Sequence, residues 1–198
     1  MRVSKVDINE FIGTWDYATL PSGIVVGTGC YLEDKGSFRR FRSTLEPGLV
    51  LGDNVHVYNC TAFSIEPEGM VTVGDGSTLV GAIFWCADHI SIGRRVVISY
   101  NVMIADSDFH PRDPALRRTD AVAISPQGDT SQRPPLFTRP VVIEDDVEIG
   151  MGAIILKGVT LGRGAYVEAG SVVTSSVPAG AEVAGNPARI LGERRKHE

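Results

Sequence analysis

With 198 residues, 43% of them hydrophobic, the chain is long enough to bury a substantial core and reads as a single domain, 1–198. A net charge of −5 argues against nucleic acid or an anionic membrane as a partner. There is no apolar run near the roughly 18 residues of a membrane span, and the opening MRVSKVDINEF lacks the apolar centre of a signal peptide, so a cytoplasmic protein with no membrane span is expected. Cys30, Cys60 and Cys86 are odd in number and lack metal-ligand spacing, which suggests reduced thiols acting as small apolar fillers.

In chain order, residues 1–23 form an N-terminal segment without a clear period. From 24 to 105 a beat of six emerges, with Val26 and Leu32 six apart. It is weak through 33–44, and Leu45, Leu51, Val57 and Phe63 carry it on. Phase is lost after Phe63, where residues 64–69 read as a turn or a small outward hairpin. Val80, Cys86, Ile92, Ile98 and Ile104 resume the beat, with Phe84, Ile90, Val96, Val102 and Asp108 four residues after each. Residues 106–140 break it, and 141–183 restore it in its purest form. There the leading positions are Ile143, Ile149, Ile155, Leu161, Val167 and Val173. The fifth positions are Val147, Ala153, Val159, Ala165, Ser171 and Val177. Residues 184–198 form a C-terminal segment, for which a short helix is expected.

A period of six fits neither a lone strand, whose side chains alternate by two, nor a helix, which spaces apolar residues by three and four. Short straight segments joined by tight corners, three to a turn, satisfy it and make a stacked all-β solenoid. The leading aliphatic fills the interior of a triangular prism, and the small fifth residue passes a narrow corner. Gly150, Gly152, Gly162 and Gly164 stand at corners where a Cβ would clash or φ must be positive.

A break of this length in a compact solenoid is a place to seek function. Pro111, Pro114, Pro134, Pro135 and Pro140 favour a defined extended path for it. At its mouth Asp108 occupies a fifth, inward position, where a carboxylate needs a hydrogen-bond or charge partner. Asp106 and Asp108 could alternatively cap the turn that launches the loop, and His110 could be an ordinary loop residue.

The string Asp106-Ser107-Asp108-Phe109-His110-Pro111, with Asp113-Pro114 after it, resembles the histidine segment of the sugar O-acetyltransferases of the galactoside, maltose and nodulation-factor type. The ending Ala184-Gly185-Asn186-Pro187-Ala188-Arg189-Ile190 resembles their C-terminal signature, and the repeat resembles the hexapeptide-repeat acyltransferases as a whole. The resemblance spans roughly residues 78–191 and implies a left-handed parallel β-helix with a long excursion loop. It implies acetyl transfer from acetyl-CoA, without a metal, to a sugar hydroxyl, with His110 as general base. Imidazole suits the task because it titrates near neutrality. Asp108 or Asp106, or a backbone carbonyl, would orient it.

By position in the family motifs, Gly152, Ala169, Gly170, Thr174, Ser175 and Arg189 would contact coenzyme A, and Lys157 is a further basic candidate. Trp85, Arg117 and Arg118 would meet the acceptor. Some relatives carry Trp where this chain has Glu148, and Trp85 is a candidate replacement. The resemblance also implies a homotrimer with clefts between neighbouring prisms. Two other readings stay open. One is N-acetylation of an amino sugar or other small amine. The other is a solenoid that transfers nothing, as a binding scaffold or a γ-type carbonic anhydrase, although His56, His89 and His110 lack the spacing of three zinc ligands.

Overall fold

The computed structural model describes residues 20–58 and 60–193. The tail with His197 and most of the N-terminal segment lie outside them. All six leading residues from Ile143 to Val173 point inward with 1% exposure or less, and the fifth positions Val147, Ala153, Val159, Ala165 and Ser171 are equally closed. Ile143 lies beside Leu161, Ile149 beside Val167 and Ile155 beside Val173, each eighteen positions on, so three hexads make one coil.

Stacking of the coils produces three sheets. The first contains Ile24–Val26, Leu49–Leu51, Met70–Val73, His89–Ile92, Val141–Ile143 and Thr160–Leu161. The second runs from Tyr31–Leu32 through His56–Tyr58, Thr78–Val80, Val97–Ile98, Glu148–Ile149 and Tyr166–Val167 to Ala181–Gly185 and Ala188–Glu193. The third contains Ala62–Ile65, Ile83–Cys86, Met103–Ala105, Ile154–Ile155 and Val172–Val173. These strands pair in parallel except the last, which folds back antiparallel on Ala181–Gly185. The C-terminal helix expected from sequence is therefore a hairpin over the described residues. Val183 is still in register with Val167, so the exposed sheet edge recruits the returning strand.

Coils widen toward the N-terminus. Ile92 lies beside Val73 nineteen positions back, Val73 beside Leu51 twenty-two back, and Leu51 beside Val26 twenty-five back. Phe38, from a 3₁₀ turn at Lys35–Phe38, stacks on Phe63 at 5.7 Å, and Phe63 on Phe84 at 4.9 Å. Three expectations of phase change here. Leu45 is 38% exposed, and Leu79 rather than Val80 faces inward. The corner at Gly81 is one residue shorter than its counterpart below: Leu79 pairs with Ile98 and Phe84 with Ile104. Ser64 and Ile65 belong to a strand, and the chain turns between Glu66 and Gly69 into a different sheet, so there is no outward hairpin.

The excursion leaves after Ala105 and returns at Val141. Its base is pinched by an antiparallel bridge between Ser107 and Thr138 and by the Arg139 N–H donating to the Asp106 carbonyl at 2.8 Å. Asp113 caps a helix, α1, at Pro114–Ala123, accepting from the Leu116 N–H at 2.9 Å. The extended path expected for this segment is thus partly helical, because Asp-Pro is a helix-start signal before it is a breaker. Among the described residues no helix is long and apolar enough to cross a membrane.

Candidate active site

Strand Met103–Ala105 delivers its chain to the corner between the third and first sheets, and everything distinctive happens in the next five residues. Asp106 is fully buried and accepts from the Ala87 and Asp88 N–H groups, each at 2.8 Å, and from the Cys86 thiol at 3.3 Å. Burial pushes its carboxyl above the usual range, against those hydrogen bonds. The same burial, with the Asp106 charge beside it, pushes the Cys86 thiol far up, which leaves it a filler rather than a nucleophile. Cys60, by contrast, is exposed, and the expectation of a buried filler fails there.

Asp108 does not take the inward position assigned to it by the hexad count. It turns outward beside the excursion, hydrogen-bonded to Lys157 and 3.3 Å from Arg112. The Lys157 hydrogen bond holds its carboxyl below the ordinary range despite partial desolvation. Phe109 then adopts φ 63°, a left-handed conformation unusual for a bulky residue, and its ring meets Trp85 edge-on at 5.5 Å.

This kink presents His110 to helix α1. His110 Nδ1 lies 2.5 Å from Oδ2 of Asp120, whose side chain has no solvent exposure. The other oxygen, Oδ1, accepts from Arg133 Nε at 2.6 Å, and Arg133 Nη2 donates to the Phe109 carbonyl at 3.0 Å. Arg133 also faces Glu66 at 3.1 Å, and Glu66 pairs with Arg42 at 2.6 Å. Burial alone would raise the Asp120 carboxyl. The hydrogen bonds from His110 and Arg133 outweigh it and hold the group below the ordinary range. An ionised Asp120 can only accept, so Nδ1 carries the proton and a neutral His110 keeps its Nε2 lone pair free. The group on His110 is therefore Asp120, neither Asp106 nor Asp108. Helix α1 brings it there from ten residues along the chain.

His110 is half exposed and borders two spaces. On one side a cleft of about 490 Å³ is lined by Trp85, Phe109, Arg39, Arg40, Arg42 and Arg133, among others. On the other a recess is lined by Asp108, Pro111, Arg112, Leu116 and Phe137. Trp85 thus joins His110. Arg117 and Arg118 do not border the cleft; both are exposed on α1, and Arg117 donates to the Arg112 carbonyl. The arginines that do line it come from the weak stretch of the repeat and from the far end of the excursion. Sequence reading passed over Arg39-Arg40-x-Arg42 because no period marks it.

Five of the six residues expected at coenzyme A fall on two edges of the prism, and the sixth on the terminal hairpin. Gly152, Ala169 and Gly170 are exposed at stacked corners between the second and third sheets, linked by the Gly170 N–H donating to the Met151 carbonyl at 2.8 Å. A Cβ at Gly152 or Gly170 would point into open space. Thr174 and Ser175 are exposed at the next corner, below Lys157 and on the same edge as His110. Arg189 is exposed on the terminal hairpin, where its guanidinium donates to the Ala188 carbonyl at 3.0 Å. Among the described residues no group of three His, Cys, Asp or Glu side chains is placed to hold a metal ion.

The family description "Bacterial transferase hexapeptide (six repeats)" matches residues 140–175. A 2,3,4,5-tetrahydropyridine-2,6-dicarboxylate N-acetyltransferase of Staphylococcus aureus is 58% identical over 57 residues, which are 29% of this chain and 24% of the relative. The chain therefore spans about a quarter of the length of the curated relatives it matches. A maltose O-acetyltransferase from Clostridium difficile 630 is 25% identical, with a TM-score of 0.51 over 87% of this chain and 67% of the other. A hexapeptide-repeat-containing acetyltransferase from Vibrio cholerae O1 biovar eltor, complexed with acetyl coenzyme A, is 27% identical. Its TM-score is 0.57 over 75% of this chain and 72% of the other. An N-acyltransferase from Bacillus cereus, in complex with dTDP and coenzyme A, shares the fold with a TM-score of 0.62 at 21% identity, covering 87% of this chain and 84% of the other.

Proposed function

We propose that this hexapeptide-repeat chain, a left-handed parallel β-helix with the fold of the acetyltransferases, transfers an acetyl group from acetyl-CoA to a sugar hydroxyl. The observation that carries the reading is His110: its Nδ1 rests on buried, ionised Asp120, while its ring opens on a cleft floored by Trp85.

In this mechanism the acceptor lies in the Trp85 cleft with one hydroxyl at His110 Nε2. As the hydroxyl oxygen attacks the thioester carbonyl, Nε2 takes its proton, and Asp120 stabilises the imidazolium that forms; collapse of the tetrahedral adduct then breaks the C–S bond, and the imidazolium returns the proton to the departing coenzyme A thiolate. Arg133 anchors Asp120, so the carboxylate stays ionised and the ring stays aimed. The thioester arrives from the recess on the Phe137 side, which faces the C-terminal coils through Lys157, 5.6 Å from the Phe137 ring. Thr174 and Ser175 continue that edge downward. The glycines at 152 and 170, where an added side chain would meet only open space, would let the pantetheine arm approach main chain.

Because the two sets of cofactor residues occupy different edges of one prism, we further propose a homotrimer. Coenzyme A would bridge the His110–Ser175 edge of one copy and the Gly152–Gly170 edge of the next. The second edge also exposes Tyr100 and Met151, two large apolar side chains that a neighbouring copy would cover. We place the protein in the cytoplasm, where acetyl-CoA is made.

The test is thiol release from acetyl-CoA with a panel of sugars and amines. His110→Ala should lower turnover by about 10²–10⁴-fold while coenzyme A binding persists. Unchanged turnover removes His110 from the mechanism. Transfer to amines alone would favour N-acetylation, the activity in the name of the Staphylococcus aureus relative.

A further inference from the structure

We propose that the acceptor is an anionic saccharide, held by its carboxylate or phosphate between Arg39 and Arg40 with its ring against Trp85. This rests on the acetyl-transfer reading and names the substrate class of the same cleft. The chain is acidic overall, at −5, yet four arginines converge on the space beside His110: Arg39, Arg40, Arg42 and Arg133. Two of them are committed. Arg133 is mostly buried against Asp120 and Glu66, and Arg42 pairs with Glu66. Glu66 is the only carboxylate lining the cleft among the described residues, and it is shared between those two guanidiniums.

Arg39 and Arg40 are different. Both are exposed, both line the cleft, and among the described residues neither has a carboxylate within ion-pair distance. Arg40 lies over the Trp85 ring with its guanidinium carbon 5.8 Å from the centroid, which aims it across the aromatic floor rather than into solvent. Trp85 projects outward from strand Ile83–Cys86, between the inward Phe84 and Cys86, and offers a flat apolar platform. Two guanidinium forks with no carboxylate partner among the described residues, one of them held over the aromatic platform, match a ring that bears a planar or tetrahedral oxyanion. A neutral sugar would leave both charges unanswered.

The experiment compares kcat/KM for glucose, glucuronic acid and glucose 6-phosphate at low and high salt. At least one charged acceptor should exceed glucose by about tenfold or more at low salt, with the gap closing as salt screens the site. The better of the two identifies the anion. Arg39→Gln with Arg40→Gln should collapse the charged-to-neutral ratio toward one, and Arg39→Lys with Arg40→Lys should restore part of it. Transfer that depends on His110 but favours neither charged acceptor over glucose, or a ratio unmoved by the double Gln variant, overturns this inference and leaves the transfer reading standing. Absence of His110-dependent thiol release with every acceptor overturns the transfer reading and this proposal together.

Discussion

Asp120 has no contact with solvent, yet its surroundings favour the charged form, because His110 and Arg133 each supply a donor to a different oxygen. Its folded pKa is lowered relative to the unfolded value of about 3.9. The sign follows from linkage: the stabilisation is fully present above the unfolded value and is lost as pH falls through the folded one. The thermal stability of the wild type should therefore fall on the acid side below about pH 4, and Asp120→Asn should blunt that dependence. At neutral pH the variant should lose about 1–3 kcal/mol, since Arg133 forfeits a charged partner in a largely buried position. If His110 is the general base proposed above, its turnover should fall by a part of the roughly 10²–10⁴-fold that such a base contributes, with little change in coenzyme A binding. Asp108→Asn is the control. Its carboxylate serves Lys157 and Arg112 rather than His110, so turnover should change far less than in Asp120→Asn.

At the scale of the coil, two kinds of glycine separate. Gly162 has ordinary backbone angles but no room: a Cβ there would lie 2.4 Å from the Ala179 nitrogen in the next coil. Gly164 has room, with no atom within 4 Å of such a Cβ, but sits at φ +67°. Gly162→Ala should therefore cost more, about 1–3 kcal/mol from forced separation of stacked coils, against about 1 kcal/mol for Gly164→Ala. Midpoints of thermal unfolding would rank them, and the reverse order would contradict the stacking geometry. A leading residue in a regular coil carries a different load. Ile155→Ala opens a cavity in a one-dimensional core whose neighbours cannot close it, with an expected loss of about 2–5 kcal/mol. Helix α1 shows how an irregular element comes to support the proposed site. Its Asp113 cap and Pro114 start are local, but the helix matters because its inward face, Asp120 and Ala123, packs where the kinked His110 segment arrives.

For the whole molecule, the proposed trimer makes a direct prediction. Sedimentation should give a mass three times that of the 21.3 kDa chain, and Tyr100→Glu with Met151→Glu, on the exposed edge, should shift it toward monomer. Loss of acetyl transfer should accompany that shift, because the residues proposed to hold coenzyme A lie on two edges of one prism. A monomeric, fully active double variant would count against the bridging cofactor.

The division between what was readable and what was not follows the same scales. Where the leading residues Ile143 to Val173 repeat, Ile143, Ile149 and Ile155 each meet their like eighteen positions on, so the pattern along the chain is also the pattern of contacts, and fold, inward positions and corners are legible from the string. Val177, counted as a fifth position, instead bridges Leu161 sixteen positions back. That logic weakens as coils lengthen: one missing residue near Gly81 moved the inward position from Val80 to Leu79. It fails in the excursion. There Asp108, which the count of six placed inside, turned out to hold Lys157. Asp120 and Arg133, ten and twenty-three residues beyond His110, supply its hydrogen-bonded support, and Arg39 and Arg40 join them from three coils earlier. The sequence by itself determined the repeating prism, the position of its interruption and His110 as the residue to watch. Only the tertiary structure decided which carboxylate faces that histidine and which cations line its cleft, because those contacts are set by packing between coils and excursion, which no period along the chain records.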